Sequence, residues 1–304
     1  TSSTIAIDTA EIGVYLENGS STVDGFLIDH TNHGVRIDAG DPVISNNQIQ
    51  NTTTNGIWLT GGGTINLSGN TVDQAVVGLF IDARVAPTLT SNSFTNVTKQ
   101  VVVPADQTDK ITWTGNGITT LNLASGYNVE VNTTFQTNGL DYILDNDLTV
   151  NAGVTLTMEP GFVLEFPATS VDLFIDGTLT AVGTSSDSIF FVGSDPNVNI
   201  HGGTVSLSDQ STGSQLDYVS FKKMGDLSGS RDAALEISSS DVTVSNTKIT
   251  DAEYYGIRIR GGSMPVFTSS TIAIDTAEIG VYLENGSPTV DGFLIDHTNH
   301  GVRI

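Results

Sequence analysis

Acidic and amide side chains recur at one position of a periodic pattern in this sequence. Each lies five residues before a glycine, or in one case before Val101, that begins a short apolar stretch; they are Asp8, Asp29, Asn51, Asp73, Asn96, Asp251, Asp275 and Asp296. If the stretches stack, these oxygen atoms form a ladder that can bind calcium. The alternative is that Asp and Asn bond the backbone of their own turns. No cofactor is required, and the calcium prediction rests on Asp29, Asp73, Asp251, Asp275 and Asp296.

A second set of side chains lies two residues after the same glycines, or after Ala234, and is predicted to point outward. Aromatic and charged residues alternate in it: Tyr15, Arg36, Trp58, Phe80, Glu236, Arg258 and Tyr282. Cation–π and aromatic pairs in such a column would stiffen a sheet. Exposed aromatic rings also suit a lateral contact with another copy of the chain or with sugar rings. We predict a binding face of Tyr15, Arg36, Trp58, Phe80, Arg258 and Tyr282, with both interpretations open.

A histidine motif offers a third kind of site. Asp29, His30 and His33 return as Asp296, His297 and His300. Two imidazoles and a carboxylate can hold a transition metal. The interpretation we favour is a solvated corner turn, because no third strong ligand is evident.

The sequence gives little evidence of a catalytic site. No Lys or Arg occurs from Ile111 to Ser220, and the cations elsewhere do not cluster with several aspartates. Pairs such as Asp38 with Asp41, or Asp172 with Asp176, could flank a glycosidic bond. Short Asp-rich turns are the explanation of both pairs that we favour. We therefore expect a protein that is not an enzyme.

The composition narrows the range of partners. The chain has 304 residues, of which 34 are acidic and 11 basic, so its formal net charge is −23. Such a surface repels nucleic acids and anionic membranes. Cysteine is absent, which removes disulfides and thiolate metal sites. No apolar run reaches the roughly 18 residues of a membrane span, so we expect no membrane insertion.

The two ends of the chain carry nearly the same sequence. Thr1 to Ile37 returns as Thr268 to Ile304, and 36 of the 37 positions are identical, with Ser21 replaced by Pro288. Long identity at a fixed offset indicates a tandem array. We predict that residues 1–267 form one repeat unit and that 268–304 begin the next.

A shorter period lies within the unit. Stretches of glycine followed by alternating apolar residues begin at Gly13, Gly34, Gly56, Gly78, Gly256, Gly280 and Gly301, and Ala234 takes the glycine place once. The alternation predicts strands with one buried face. A second strand is expected about nine residues later, in four cases after a proline. The pattern predicts an all-β parallel β-helix of about 22 residues per coil, in which these glycines supply positive φ at corners.

Two parts of the chain, Gly34 to Phe94 and Ala234 to Ile304, resemble the right-handed parallel β-helix repeats of bacterial and archaeal surface proteins. Leu148 to Gly193 resembles the segment that commonly opens such regions in very large secreted proteins. Residues 101–147 match least well, and we expect a longer loop or an irregular coil there. The resemblance implies the fold more strongly than a function, because the family includes polysaccharide lyases, glycosidases, adhesins and phage spikes.

Together these observations favour a structural building block of an extracellular fibre, stalk or giant surface adhesin. It would form a stiff β-solenoid rod by tandem or end-to-end stacking, with copies of itself as partners. The alternative is a carbohydrate-binding adhesin module that uses the aromatic face. A polysaccharide-degrading enzyme is the third candidate.

Overall fold

The computed structural model describes residues 6–167, 171–193, 201–225, 232–268, 272–285, 288–289 and 292–304. The described chain is an all-β parallel β-solenoid of about 12 turns, with roughly 22 residues per turn and almost no helix. Its helical structure is one 3-10 turn, Ala105–Gln107, among the residues described. A membrane-spanning helix is not found in those ranges. The fold class predicted from the sequence is confirmed.

The chain divides into two compact units. The first comprises Thr1–Ala124 and Asn138–Asp141, and the second comprises Ser125–Thr137 and Tyr142–Ile304. The first unit holds fifteen described strands: β1 Ala6–Asp8, β2 Ile12–Leu16, β3 Thr22–Asp24, β4 Leu27–Asp29, β5 His33–Ile37, β6 Val43–Ser45, β7 Gln48–Gln50, β8 Asn55–Leu59, β9 Asn66–Ser68, β10 Thr71–Asp73, β11 Val77–Ile81, β12 Thr88–Thr90, β13 Ser93–Thr95, β14 Lys99–Val103 and β15 Thr120–Leu123.

The first four coils of the first unit each contribute one strand to each of three parallel sheets. The sheets are β1-β4-β7-β10-β13, β2-β5-β8-β11-β14-β15 and β3-β6-β9-β12. The apolar pairs that follow Gly34, Gly56 and Gly78 are buried, as predicted, for example Val35 with Ile37 and Ile57 with Leu59. Val14 and Leu16, which follow Gly13, are half-buried. The short strands β4, β7, β10 and β13 are additional, because the sequence analysis predicted two strands per coil.

The second unit holds the remaining described strands: β16 Thr133–Phe135, β17 Asp141–Leu144 (whose first residue belongs to the first unit), β18 Leu148–Val150, β19 Thr155–Met158, β20 Val163–Phe166, β21 Leu173–Ile175, β22 Thr178–Val182, β23 Ile189–Gly193, β24 Val205–Leu207, β25 Ser214–Asp217, β26 Val219–Lys222, β27 Ala233–Ile237, β28 Val242–Ser245, β29 Lys248–Thr250, β30 Tyr255–Ile259, β31 Val266–Phe267, β32 Ile272–Leu283 and β33 Phe293–Arg303. All of their registered pairings are parallel.

The coil length is not uniform in this unit. Leu235 pairs with Ile257, 22 residues later, but Leu173 pairs with Val205 and Thr180 with Gln215, which are 32 and 35 residues apart. The core positions on both sides of these longer spacings remain in register. A single period of 22 residues therefore describes the first unit and the last coils better than the middle of the chain.

The column of glycines has a different cause from the one predicted. Gly34, Gly56, Gly78, Gly256 and Gly280 do not adopt positive φ. A Cβ on Gly56 would lie 2.8 Å from the carbonyl O of Gly78, and a Cβ on Gly280 would lie 2.6 Å from that of Gly301. Successive coils approach so closely here that only a residue without a side chain fits.

Positive φ occurs instead at corner residues that carry side chains. His30, Asn51, Gln74, Asn96 and Asp251 all have φ between 50° and 60°. Asn and Asp tolerate this conformation better than most residues. These corners end the short strands and turn the chain into the next sheet.

A buried ladder of asparagines runs through the first unit. Asn47 Nδ2 donates to Asn70 Oδ1 at 2.9 Å, Asn70 Nδ2 to Asn92 Oδ1 at 2.9 Å, and Asn92 Nδ2 to Asn116 Oδ1 at 3.0 Å. Each amide also donates to a main-chain carbonyl, as Asn70 does to Ile44 O at 2.8 Å. The ladder satisfies backbone groups that a buried turn would otherwise leave unpaired.

The region expected to be irregular contains the 3-10 turn and no strand from Pro104 to Thr119. Asp106 is fully buried there and accepts a hydrogen bond from Arg84 Nε at 2.7 Å. Trp113 is buried beside it and donates from Nε1 to Thr108 O at 2.8 Å. The ion pair and the indole fix a segment that lacks the ladder of the regular coils.

The asparagine ladder yields a test. Asn70→Ala removes the acceptor of Asn47 and leaves the Ile44 carbonyl without its amide donor, so we expect a loss of about 3 kcal/mol in the free energy of unfolding. Urea denaturation measures it. Asn18→Ala, at an exposed turn, is the control and should change stability by less than about 0.5 kcal/mol. Equal losses in the two variants would contradict a structural role for the ladder.

Candidate functional site

The structure brings the predicted aromatic and arginine residues of the first unit into one column. Tyr15 lies opposite Arg36, Arg36 opposite Trp58, and Trp58 opposite Phe80 in adjacent strands. The column begins with Tyr15, whose relative exposure is 48%. Trp58 and Phe80 are half-buried.

The Arg36 guanidinium lies between two aromatic rings of this column. Its Cζ is 4.4 Å from the centroid of Trp58 and 5.5 Å from that of Tyr15. The Trp58 and Phe80 rings continue the stack, with centroids 6.3 Å apart and planes inclined by 6°. This geometry is that of cation–π and stacked aromatic pairs, and it supports the ladder interpretation.

Asp38 anchors the column, which the sequence analysis did not anticipate. Arg36 donates to both carboxylate oxygens, at 2.7 Å and 3.2 Å, and the Tyr15 hydroxyl donates to Oδ2 at 2.6 Å. Thr60 Oγ1 is a further donor. The signal in the sequence was the spacing of Arg36 and Asp38. Residues two apart in an extended segment point to the same face, so the guanidinium lies beside the carboxylate on the outside of one coil.

The hydrogen bonds set the ionisation of this group. Burial alone would raise the pKa of Asp38, but the donors Arg36, Thr60 and Tyr15 outweigh it and lower the pKa to about 2. The hydrogen bond to Asp38 raises the pKa of Tyr15. Asp38 is therefore a fixed anion at neutral pH and is engaged by neighbours rather than free to act with Asp41.

A corresponding column lies in the second unit. Ser206 is opposite Glu236, Glu236 opposite Arg258, Arg258 opposite Tyr282, and Tyr282 opposite Arg303. The Arg258 Cζ is 5.8 Å from the ring centroid of Tyr282. Arginine over tyrosine thus recurs in both units.

Arg258 also joins an ionic cluster. Its Nη2 donates to Glu284 Oε2 at 2.8 Å, and its Nη1 to Asp232 Oδ1 at 3.2 Å. Arg260 lies 3.4 Å from Glu236 and 3.3 Å from Glu284. Burial raises the pKa of Glu236 although both arginines oppose this. The sequence does contain a signal for this cluster. Charges of opposite sign recur at a spacing of 24 residues, at Glu236, Arg260 and Glu284, and this spacing was not used above.

A cavity of about 510 Å³ opens beside this cluster. Its lining combines serine hydroxyls, carboxylates and a guanidinium, with Ser206, Ser208, Asp209, Glu236, Arg260 and Glu284 among the residues. Such groups hydrogen-bond hydroxyl-rich ligands.

The predicted carboxylate column is two columns in the structure. Asp8, Asp29 and Asp73 share a strand position with Gln50 and Thr95. Asn51 and Asn96 occupy the next position, the corner with positive φ. The prediction assumed a constant distance of five residues to the next glycine, or to Val101. In the structure this distance is five residues for Asp29 and Asp73 but six for Gln50 and Thr95.

The same correction applies in the second unit. Asp275 pairs with Asp296 on one side and with Thr250 on the other. Asp251 therefore lies outside this column, at a corner with φ of 60°. Directly superposed carboxylates among the registered strands are Asp8 with Asp29 and Asp275 with Asp296.

Two of these aspartates, Asp29 and Asp73, accept hydrogen bonds from side chains of the next coil. Asp29 accepts from Gln50 Nε2 at 2.8 Å and from Asn51 Nδ2 at 2.7 Å. Asp73 accepts in the same way from Thr95 and Asn96. The hydrogen bonds from Asn51 and then Gln50 lower the pKa of Asp29. Bonds within the turn also occur: Asp296 accepts from His297 N at 2.9 Å, and Asp8 and Asp275 accept from the hydroxyl of the following threonine. Clasps between coils therefore exist beside the bonding within one turn that the sequence suggested.

The histidines separate into two environments. His30 Nδ1 lies 2.9 Å from Asp29 Oδ1 and 3.3 Å from Asp8 Oδ1. The His33 ring packs against Trp58, with centroids 4.7 Å apart. No group of three or more His, Cys, Asp or Glu suited to a metal ion is found in the part of the chain that the structure describes. Calcium binding stays a prediction.

The hydrogen bonds to Asp38 predict that the stability of the fold depends on pH. Its folded pKa of about 2 lies below the unfolded value near 3.9. The ionised carboxylate therefore stabilises the fold fully above about pH 4, and this contribution disappears as the pH falls through about 2.

We expect Asp38→Asn to lower the free energy of unfolding by about 1 kcal/mol at pH 6, a value reduced by solvent screening at a partly exposed site. The difference in the free energy of unfolding between the wild type and Asp38→Asn should shrink as the pH approaches 2. Urea denaturation over a pH series measures this difference. The exposed Asp209→Asn is the control, with a change within about 0.5 kcal/mol at pH 6. A difference between wild type and Asp38→Asn that is as large at pH 2 as at pH 6 would contradict a stabilising role of the ionised Asp38.

Comparison with known families is consistent with this geometry. Residues 3–94 match the model of the family described as "Right handed beta helix region". Searches of curated proteins and of solved structures gave no match. The matched residues include the regular coils of the first unit as far as Phe94. The strands of the second unit also pair in parallel. The chain is thus a right-handed parallel β-solenoid, and its residues 3–94 are similar to the right-handed β-helix family model.

Proposed function

We propose that this chain is a non-enzymatic structural building block of an extracellular fibre, stalk or giant surface adhesin. In this proposal, 267-residue units follow one another and stack through their coils. The stability of such a solenoid is a sum over neighbouring coils, so length adds stiffness without a new kind of contact.

The observation that carries the proposal is the placement of residues 272–304. These residues repeat the start of the chain, and their strand β32 pairs in register with both β29 and β30 of the preceding coils. β33 then pairs with β32 along its length. A repeat that begins by extending the existing ladder is what a continuous array requires.

The side chains on the outer faces support a structural role. Asp38 is held by Arg36, Tyr15 and Thr60, and Asp172 is buried and accepts from Thr204 N at 2.7 Å. Carboxylates engaged in this way stabilise the coil, whereas a glycosidase needs two that face a substrate. The net charge of −23 would keep neighbouring fibres apart unless divalent cations bridge them.

Electron microscopy of the native, unheated protein tests this proposal. We expect long filaments with an axial repeat of about 58 Å, from roughly 12 coils at about 4.8 Å each. A calcium chelator should separate filaments that lie side by side without shortening them. Isolated particles of one unit, with or without the chelator, would contradict the proposal.

A carbohydrate-binding adhesin module is the second candidate. It is favoured by the exposed Tyr15 ring on the column with Trp58, and by the polar cavity beside Glu236. Stacking of sugar rings on aromatic faces would supply affinity in this case.

Trp58→Ala separates the two candidates. If the face binds glycans, the variant should lose at least about tenfold in affinity, or roughly 1.4 kcal/mol, on a glycan array while its circular dichroism stays unchanged. If the face is structural, the wild type binds no glycan and the variant is only less stable. Phe190→Ala, an exposed aromatic that lies in neither column and does not line the cavity, is the control.

A further inference from the structure

Asparagine followed by glycine is a chemically reactive pair, and it recurs in this sequence. The pairs begin at Asn18, Asn55, Asn116, Asn138 and Asn285. In such a pair the main-chain nitrogen of the glycine can attack the side-chain amide carbon of the asparagine, because glycine has no Cβ to hinder the approach. The fold decides which pairs can react, through the exposure and the hydrogen bonds of each asparagine.

The pair of Asn18 and Gly19 has the geometry for this attack. Both residues are exposed, and Gly19 N donates to Asn18 Oδ1 at 2.7 Å. A carbonyl bond is about 1.23 Å long, so Asn18 Cγ lies within about 3.9 Å of the Gly19 nitrogen. That distance is close to the separation of about 3–3.5 Å at which reacting atoms are poised. Solvent also reaches both residues, and the second half of the reaction consumes water.

Two other pairs are held away from reaction by the core. Asn116 is fully buried, its Oδ1 accepts from Asn92 Nδ2 at 3.0 Å, and its Nδ2 donates to Leu89 O at 3.3 Å. Asn55 is buried in strand β8. Attack at either asparagine requires its amide to leave these surroundings, which costs part of the free energy of unfolding.

The exposure of this asparagine does not depend on whether a coil precedes it. Asn285 is the copy of Asn18 in the repeated sequence. A coil lies directly before it, since a Cβ on Gly262 would be 3.2 Å from Asn285 O. Asn285 is nevertheless exposed, while Gly286 lies outside the described residues. The asparagine of this pair is therefore accessible in both copies of the repeat.

We propose that Asn18 and Asn285 are sites of spontaneous deamidation and backbone isomerisation. At the first site the Gly19 nitrogen forms a bond to Asn18 Cγ, the bond from Cγ to Nδ2 breaks, and ammonia leaves with the proton of the Gly19 amide. Water then opens the resulting succinimide ring at either carbonyl carbon. The products are aspartate and isoaspartate, and in isoaspartate the main chain runs through the former side-chain carbonyl. The reaction consumes water, releases ammonia and needs no other reactant.

Isoaspartate at position 18 acts on the contact with the next coil. Asp41 N donates to Gly19 O at 3.0 Å, and a Cβ on Gly40 would collide with the same oxygen. Isoaspartate adds a carbon to the main chain before Gly19, so this oxygen shifts relative to the Asp41 amide. Because neighbouring coils stabilise one another, the corner loosens. This inference is independent of the proposed fibre function, since it concerns one turn and the coil stacked on it.

Peptide mapping of the folded, full chain tests the chemistry. The protein is kept at mildly alkaline pH and digested with pepsin in acid, and mass spectrometry follows the deamidated fraction at each asparagine. We expect Asn18 and Asn285 to react at least about tenfold faster than Asn55 and Asn116, whose reaction needs local unfolding. Equal rates at the exposed and buried pairs of the folded protein would overturn the proposal.

Two controls show that the fold causes the difference in rate. In concentrated urea the buried pairs should react as fast as the exposed ones, and a rate difference that persists there would also overturn the proposal. Asn18→Gln should stop the reaction at position 18, because the longer side chain disfavours ring closure, while Asn285 keeps reacting. The difference between Ser21 and Pro288 gives the two copies peptides of different mass.

Hydrogen exchange tests the structural consequence. In aged Asn285→Gln protein, the isoaspartate form at position 18 is separated by chromatography. We expect its Asp41 amide to exchange about tenfold faster or more than in the fresh protein. Asn18→Asp is the matched control, because it adds the same charge and keeps the ordinary main chain, so its Asp41 amide should stay as protected as in the wild type. Unchanged exchange of Asp41 in the isoaspartate form would contradict the loosening of this corner.

Discussion

The parallel backbone ladder between successive coils is the constraint on which this structure depends. Because each coil must place its strands directly over those of the coil before, residues at the same position stack along the ladder. The buried asparagines from Asn47 to Asn116, the aspartate clasps and the Arg36 sandwich are all consequences of this stacking. A small side chain is required wherever two coils come closest, as at Gly56 and Gly280.

Much of the fold followed from the sequence because the ladder imposes a period that the sequence must show. The alternating apolar residues and the spacing of the glycines were enough to predict the parallel coils. The reason for the glycines was not evident, because close approach and positive φ both select the same residue. Columns could be assigned only to within one residue, so Asp251 and Asn51 were placed with Asp29 although they lie at the next corner.

The side-chain partners were harder to predict than the columns. Asp38 is an anchor because Arg36, Thr60 and Tyr15 converge on it from different coils, and no single stretch of sequence contains that geometry. The longer coils around residues 173–215 also break the period, so counting cannot locate their partners. The proposed function rests more on the repeat than on any one site, since residues 272–283 extend the ladder of the coil before them.

Residue-resolved hydrogen exchange in the full chain tests the continuity of that ladder most directly. The amides of Ile279 and Glu284 donate to the preceding coil, and we expect them to exchange slowly, near the rate set by global unfolding. The identical residues Ile12 and Glu17 are half-buried and exposed, and they should exchange faster by about a hundredfold or more. Equal rates at the two copies would contradict the account, because residues 272–283 would then not be stacked on the coil before them.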